Sequence, residues 1–414
     1  MVYTKPEVSD SIGRLTFLWQ DLDLKVVTER MTDEGSAELC FYHSNGQGDS
    51  LLHRAKVNLL STPTLNQVAK RMLTHSPKNP WTQILTCISS TTVEYQRKGE
   101  PGEILSPIPG TVEHPGYYID PLIIKGLPTI LHGEKGTHKT TLGIIALGVI
   151  ANGIYDSPTG LTAIEPAKVG FLDWENDRQT TLYTASRLIN ADTIPFFEFA
   201  YMRMYMSLSD DIHRIAEFVH DQKLEVLLID SLGGAAGSDQ FDSAGKRAAL
   251  KFFENLRKLK VTSLIIGQEA KNEEGKKTIY GSVYYRYYAR SVFELRAKRD
   301  EMNPSVSHIA LFHTDANYSQ LHEPMGFIAT HSPDSILVES EPLRLSDFIE
   351  KVSQTKMLLE FLTDGAKTRQ AISENLGISL NQVDQILSRA KKRGIVLSLG
   401  SGLWGRIAKP ENQP

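Results

Sequence analysis

Apolar residues recur along the middle of the chain in short runs that alternate with amphipathic stretches. The runs at 224–230 and 261–267 are nearly continuous, which is typical of strands buried on both faces of a parallel sheet. The run at 168–173 is followed by a helical pattern over 178–190. Alternation of strands with helices predicts crossover connections, so residues 117–340 are expected to form one α/β domain with a mostly parallel sheet. Three later runs could extend the sheet, at 291–295, 306–312 and 326–330.

Different patterns flank this domain on both sides. Residues 1–110 mix short apolar runs and polar turns with helical periodicity at 64–73 and 81–92, which predicts a small α+β domain. Its last residues, from 99 to 110, are rich in Pro and Gly and indicate a linker. The stretch 351–408 predicts three short helices followed by a two-stranded wing, the order of elements in a winged helix-turn-helix.

Composition restricts the class of protein. A chain of 414 residues suggests two or three domains, and its net charge of −4 argues against a basic protein that coats nucleic acid. Cys40 and Cys87 form no CxxC pair, which argues against a zinc site or disulfide framework and favours a reducing compartment. The first residues lack a secretory pattern and no apolar run is long enough to span a bilayer. We therefore expect a cytoplasmic protein without a membrane segment.

The most informative segment joins an apolar strand to an apolar helix between residues 127 and 151. Its core, GEKGTHKT, fits the phosphate-binding pattern GxxxxGK[ST] at Gly133, Lys139 and Thr140, with His138 in place of the second glycine. In such loops backbone N–H groups surround the phosphates, the lysine neutralises them and the hydroxyl binds Mg²⁺. Nine residues are predicted to hold a nucleotide: Gly133, Glu134, Lys135, Gly136, Thr137, His138, Lys139, Thr140 and Thr141.

Acidic residues follow two of the predicted strands. Asp230 ends a buried strand about ninety residues after the loop, where nucleoside triphosphatases place an acid that helps Thr140 to hold Mg²⁺. Glu175 lies after the strand that follows the loop helix, and ligands of open α/β sheets gather at that edge. A carboxylate there can orient and deprotonate an attacking water. Asp173 is the rival candidate for this role.

Three features further along the chain have alternative explanations. Gln268 could hydrogen bond to a γ-phosphate or be an ordinary surface amide. The charged segment 271–277, KNEEGKK, could reach DNA or be a solvated loop. The segment 279–296 contains five tyrosines, which could stack on bases, although packing between subunits is the interpretation we favour.

Taken together, these motifs resemble those of the RecA-like ATPases of the RepA type, hexameric plasmid replicative helicases with phage and mobile-element relatives. The resemblance covers residues 117–340 and is carried by GEKGTHKTT, FLDWEND, VLLIDSLGG, IIGQEAK and YGSVYYRYYARSVFELR. It implies a RecA-like fold that binds ATP and Mg²⁺. It also implies a catalytic role for Lys139, Glu175, Asp230 and Gln268, the last as a polar sensor. Arg290 matches the arginine that reaches a neighbouring subunit's ATP, which implies a ring or filament.

The sequence departs from the family pattern at two positions. His138 replaces a glycine whose missing side chain lets the backbone lie close to the phosphates. Gln268 stands where the family often has histidine, although RecA-like proteins also use glutamine. Lys271 matches a lysine of the family in the same segment.

The predicted third helix of the C-terminal domain, 380–392, carries polar and basic side chains. These could touch groove edges and phosphates of DNA, although many winged helices bind proteins instead. They are Asn381, Gln385, Ser388, Arg389, Lys391 and Lys392, with Arg393 and, near the end of the wing, Arg406.

The leading interpretation is therefore an Mg²⁺-dependent ATPase that forms a homo-oligomeric ring, expected to be a hexamer. It would act on single-stranded or forked DNA in replication of a phage, plasmid or integrated element, with duplex DNA as a further ligand of the winged helix. One alternative is an ATP-gated DNA-binding regulator or loader without motor activity. Another is a nucleotide-dependent scaffold.

Overall fold

A computed structural model describes residues 4–32, 34–99, 102–106, 114–153, 156–237, 245–271, 277–279, 284–343, 354–392, 394–400 and 402–407. They form an N-terminal α+β domain, an α/β core built on a large and mostly parallel sheet, and a C-terminal group of short helices and strands. The predicted fold class is confirmed. No helix in the described part of the chain is both long and apolar enough to cross a membrane.

The N-terminal domain is an antiparallel meander of five strands with two helices. In chain order these are β1 (Glu7–Ser11), β2 (Arg14–Trp19), β3 (Leu24–Glu29), β4 (Ser36–Asn45), β5 (Gly48–Asn58), α1 (Thr62–Leu73) and α2 (Trp81–Arg97). Buried and half-buried residues alternate along β2, which directs Leu15, Phe17 and Trp19 into the domain core. The sequence did not predict β1 or β5, because β1 is exposed along its whole length and β5 along most of it.

The core begins with a two-stranded ribbon, β6 (Tyr117–Ile119) and β7 (Ile123–Ile124), and continues as alternating strands and helices. These are β8 (Pro128–Gly133), α3 (Lys139–Asn152), β9 (Val169–Asp173), α4 (Arg178–Asn190), β10 (Ala200–Arg203), α5 (Ile212–Asp221), β11 (Val226–Asp230), α6 (Leu232–Ala236) and α7 (Gly245–Lys258). Then follow β12 (Thr262–Lys271), β13 (Lys277–Ile279), α8 (Tyr284–Tyr288), β14 (Ser291–Arg299), β15 (Val306–Ala316), β16 (Met325–His331) and β17 (Ile336–Glu341).

The strand order of the large sheet is β10-β9-β11-β12-β8-β14-β15-β16-β17, with β13 paired to the end of β12. The strands from β10 to β14 are parallel, and β15, β16 and β17 continue the sheet in antiparallel pairing. The predicted extensions at 291–295, 306–312 and 326–330 are therefore confirmed, although β17 was not predicted. Because β12 lies between β8 and β11, three strand ends converge beside the loop that follows β8.

Helices cover both faces of the parallel part. One face packs against α3 and α4, and the other packs against α5, α7 and α8. Strands β9 and β11 are buried at every position, which accounts for their unbroken apolar sequence. The helix α3 is buried from Leu142 to Ile150, as expected of a helix that is apolar on all sides.

A salt bridge and a histidine–carboxylate contact hold the N-terminal domain against α5. Arg14 pairs with Glu217 at 2.8 Å, and His213 lies 3.4 Å from Glu29. A Cβ atom on Gly13 would come 2.3 Å from Ile212, so the turn between β1 and β2 touches the helix closely. The contact fixes this domain on the face of the core opposite α3.

The C-terminal elements are α9 (Gln354–Phe361), β18 (Lys367–Thr368), α10 (Arg369–Leu376), α11 (Leu380–Lys392), β19 (Val396–Gly400) and β20 (Leu403–Arg406). The strands form a small sheet in the order β18-β20-β19. The helices pack around a separate apolar cluster that also includes Ala310 and Phe312 of β15. Three helices thus lie where their periodicity predicts them, and the DNA-binding role of this region stays a prediction.

Candidate functional site

The predicted phosphate loop connects the carboxyl end of β8 to α3. A Cβ atom on Gly133 would lie 2.3 Å from the carbonyl oxygen of Leu295 on β14, so only glycine fits at this strand end. Gly136 has a φ of 81°, a conformation that glycine adopts without strain. Thr137 Oγ1 donates to the Glu134 carbonyl at 2.9 Å and closes the loop on itself. Glu134, Lys135 and Gly136 are exposed at its tip.

The Lys139 ammonium lies inside this loop. Its Nζ donates to the carbonyls of Gly133 at 3.0 Å and Glu134 at 2.7 Å. Burial lowers the pKa of Lys139, and the nearby carboxylates of Asp230 and Glu175 oppose that shift. The arrangement puts a cation at the start of α3, where the helix amides already favour an anion.

His138 occupies the position where the pattern expects glycine. Its φ of 66° is in the left-handed region, which explains the usual preference for glycine, and a side chain there costs about 1–2 kcal/mol. The imidazole packs beside His331 of β16, with ring centroids 5.1 Å apart. Burial lowers the pKa of His138 to about 4, so the ring is neutral at pH 7. The histidine that replaces glycine at this position is therefore accommodated, with its ring packed against His331 of β16.

Thr140 and Asp230 meet directly across the sheet edge. Thr140 Oγ1 donates to Asp230 Oδ2 at 2.5 Å, which links the first turn of α3 to the last residue of β11. The Asp230 side chain is buried, and its Oδ1 has no hydrogen-bond partner in the described part of the chain. Burial raises the pKa of Asp230 to about 7. The Thr140 hydroxyl and the Asp230 carboxylate, whose Oδ1 is unsatisfied, are a donor set that fits Mg²⁺.

The structure separates the roles of Asp173 and Glu175. Asp173 is fully buried, and its carboxylate accepts from the backbone N–H groups of residues 175 and 176 and from the hydroxyls of Thr181 and Tyr201. These bonds make it a structural residue of the turn after β9. Glu175 is exposed at the same edge and accepts from Gln268 Nε2, which is 3.2 Å from each carboxylate oxygen.

Gln268 is placed by the register of β12, in which it pairs with Gly133 of β8. Five predicted residues, Gly133, Lys139, Thr140, Glu175 and Asp230, thus share one edge of the sheet with it. Thr141 follows in the first turn of α3 and is half-buried. The side chain of Lys271 and most of the KNEEGKK segment, 272–276, lie outside the described residues.

Arg290 is the one predicted catalytic residue that lies elsewhere. It precedes β14, and its N–H donates to the carbonyl of Pro128 at the amino end of β8. The next residue, Ser291, pairs with Thr129, so about four residues of strand, roughly 13 Å, separate this point from Gly133. No acceptor for its guanidinium lies among the described residues. The structure therefore does not bring Arg290 to the loop of its own chain.

The tyrosine-rich segment divides between core and surface. Tyr285 is completely buried against Phe252 and Phe253. It is a core residue, which agrees neither with stacking on bases nor with packing between subunits. Tyr287 is 71% exposed, and Tyr284 lies beneath the Lys246 ammonium at 5.5 Å. Tyr280 lies outside the described residues.

The predicted DNA-facing residues of α11 lie on its exposed side. Asn381, Gln385, Ser388, Arg389 and Lys392 alternate with the buried residues Val383, Ile386, Leu387 and Ala390. Lys391 Nζ lies 5.9 Å from the centroid of the Trp404 ring, and Arg406 donates to Thr363. Arg393 lies outside the described residues.

Sequence reasoning missed a buried polar pair beside the loop. His132 Nδ1 lies 2.8 Å from Glu269 Oε1, and the two residues adjoin Gly133 and Gln268 respectively. The available signal was the occurrence of a histidine and two glutamates, including Glu294, within strands that are otherwise apolar.

A match to a known family supports the same class of site. Residues 105–274 match the AAA domain family. The matched range includes the loop, Glu175, Asp230 and Gln268, which supports a nucleotide-dependent ATPase domain. A KaiC-like protein from the hyperthermophilic archaeon Pyrococcus horikoshii is similar over 56% of this chain and 98% of its own, at 17% identity and a TM-score of 0.39. No curated protein matches the sequence.

The raised pKa of Asp230 predicts how stability depends on pH when neither Mg²⁺ nor nucleotide is added. In the unfolded chain this carboxyl has the usual aspartate pKa of 3.8, and in the fold its pKa is about 7. The folded state thus binds more protons between these values, and its free energy of unfolding falls as pH rises, by on the order of 1 kcal/mol per pH unit at most. Urea titrations at pH 5 and 7 should show a smaller pH dependence for Asp230→Asn than for wild type. Equal dependence would contradict the assignment.

Proposed function

We propose that the chain is an Mg²⁺-dependent ATPase whose hydrolytic site is the edge formed by β8, β9, β11 and β12. The observation that carries the proposal is the contact of Thr140 with Asp230 at 2.5 Å, beside a glycine-lined loop that contains Lys139. The second support is a carboxylate, Glu175, that stands on the same edge and is held by an amide. A P-loop alone could only bind a nucleotide, whereas these groups together can activate water.

Each residue then has a chemical role. The loop amides and Lys139 hold the phosphates of ATP, and Thr140 and Asp230 would hold Mg²⁺, which neutralises charge on the phosphate oxygens. Glu175 orients and deprotonates the attacking water. Gln268 is a neutral donor that can turn from Glu175 to a γ-phosphate, because its amide already lies at this edge.

Substitution of Glu175 and Lys139 tests this assignment. Glu175→Gln keeps the shape of the side chain but removes the base, so kcat should fall about 10²- to 10⁴-fold while nucleotide binding persists. Lys139→Ala should abolish turnover and weaken binding, because the loop loses its cation. Glu198→Gln, an exposed acid of the same domain, is the control and should match wild type. Phosphate release measured on the three purified variants decides the matter, and normal turnover in Glu175→Gln would remove the proposal.

We further propose that the active form is a ring, with a hexamer as the expected assembly, in which Arg290 enters the site of a neighbour. The support is its position: Arg290 lies at the opposite edge from its own loop, and no described acceptor engages its guanidinium. An arginine supplied from a neighbouring subunit can add 10³ to 10⁵ in rate.

Mixing two inactive variants tests this arrangement. Arg290→Ala retains an intact loop, and Lys139→Ala retains Arg290, so each should be inactive alone. In mixed rings a wild-type loop can meet a wild-type arginine, and activity should return to a fraction of the wild-type rate. If mixed oligomers form and remain inactive, Arg290 does not act between subunits.

DNA is the polymer that we propose as the partner, with replication of a mobile element as the context. The support is the exposed polar and basic side of α11, together with a resemblance to RepA-type helicases. The same face of α11 favours a second candidate, an ATP-gated regulator or loader that binds a DNA site without unwinding it.

Hydrolysis and strand displacement separate these candidates. For the helicase, single-stranded DNA should raise the ATPase rate and a forked duplex should be opened. For the regulator, one duplex sequence should be protected without unwinding. In both cases affinity should fall steeply between about 50 and 200 mM salt, and Arg389→Ala should weaken binding and reduce the salt slope. A flat salt dependence would favour a protein partner.

A further inference from the structure

A buried hydrogen bond ties the phosphate-loop strand to the strand that carries Gln268. His132 is the residue before Gly133 on β8, and Glu269 is the residue after Gln268 on β12. Their side chains are only 4% and 5% exposed, and His132 Nδ1 lies 2.8 Å from Glu269 Oε1. A hydrogen bond between a histidine and a carboxylate in such a buried place constrains both strands strongly.

The hydrogen bond between His132 and Glu269 lies on the face of the sheet opposite the Gln268 side chain. Side chains alternate between faces along a strand, and Ile266 packs with α3 whereas Ile265 packs with α7. Gln268 therefore shares the α3 face with the phosphate loop, and Glu269 shares the other face with His132. Gly267 permits this approach, because a Cβ atom there would lie 3.3 Å from the His132 Cβ.

The pair also marks the point where β12 continues beyond the parallel sheet. From Glu269 to Lys271 the strand pairs with β13 instead, in the register Glu269 with Ile279. On the other side of His132, Glu294 of β14 is opposite in register and accepts from Arg296 Nε at 2.7 Å. The end of β12 is thus fixed to β8 and, through β8, to β14.

We propose that His132 and Glu269 are positioning residues for hydrolysis. Their bond fixes the end of β12 against β8, and this holds the Gln268 amide at the 3.2 Å contact with Glu175. The pair lies on the face of the sheet opposite the phosphate loop, so it acts through Gln268. The inference rests on the ATPase function proposed above. It assigns the positioning of the polar sensor, Gln268, to two residues to which the motifs give no role, His132 and Glu269.

The test compares Glu269→Met, which removes the acceptor at similar volume, with Glu269→Gln, which keeps an oxygen in place. We expect kcat of Glu269→Met to fall about tenfold to a hundredfold with KM for ATP nearly unchanged, since small displacements of catalytic groups have effects of this size. Glu269→Gln should recover most of the rate. Because the pair acts through Gln268, Glu269→Met should add little to the defect of Gln268→Ala in the double variant.

The sheet offers a matched control. His308 Nδ1 lies 2.8 Å from Glu341 Oε1 and joins β15 to β17 away from the site. This histidine–carboxylate contact is more exposed than that of His132, and His308 Nε2 also lies 3.4 Å from Asp300. Glu341→Met should keep wild-type kcat and KM, with the thermal midpoint of every variant measured to show that it is folded. Equal losses in Glu341→Met and Glu269→Met would overturn the proposal, as would a loss confined to KM. If Glu269→Met does not fold, His132→Asn, which keeps a donor at the δ position, and His132→Leu replace the Glu269 pair.

A crystal structure of Glu269→Met gives a readout that does not require activity. We expect Gln268 Nε2 to leave the Glu175 carboxylate, and a retained contact would overturn the inference. If the wild-type protein hydrolyses no ATP, the proposed function fails, and the structure of the variant still decides whether the pair positions Gln268.

Discussion

The hydrogen bond from Thr140 to Asp230 is the contact on which the rest of the site depends. It connects the first turn of α3 to the end of β11, two elements separated by ninety residues of chain and by the full width of β12. A buried carboxylate is costly to ionise, and here burial raises its pKa to about 7. A divalent cation bound at the same oxygens would favour the ionised form. In the proposed function, Mg²⁺ would therefore offset the cost of ionising this buried carboxylate.

The remaining groups are positioned by strand order. Neighbouring parallel strands end at the same edge of the sheet. The loop after β8, the turn after β9 and the end of β12 therefore lie close together even though each segment is short. The two acids at that edge differ in role. Both carboxylate oxygens of Asp173 accept hydrogen bonds that stabilise the turn after β9, whereas Glu175 faces solvent. The amide of Gln268 then bridges from β12 to that glutamate.

Much of this was predictable from the sequence, for physical reasons that differ between elements. Strands β9 and β11 are buried on both faces, so their composition alone identifies them, and the loop glycines reveal a close backbone approach. Polar strands gave no such signal, which is why β1 and β5 escaped prediction. The choice between Asp173 and Glu175 needed hydrogen bonds that no spacing encodes. The contact of His138 with His331 is likewise invisible in the sequence, since almost two hundred residues separate the two rings.

The central claim is that Thr140 and Asp230 form the magnesium part of a nucleotide site, and calorimetry tests it most directly. ATP affinity should be measured for wild type and Asp230→Asn, each with Mg²⁺ and with a chelator. The expected result is that Mg²⁺ strengthens ATP binding to wild type at least about tenfold, equivalent to about 1.4 kcal/mol, and that this gain is largely lost in Asp230→Asn. Identical dependence on Mg²⁺ in the two proteins, or no binding of ATP to wild type, would contradict it.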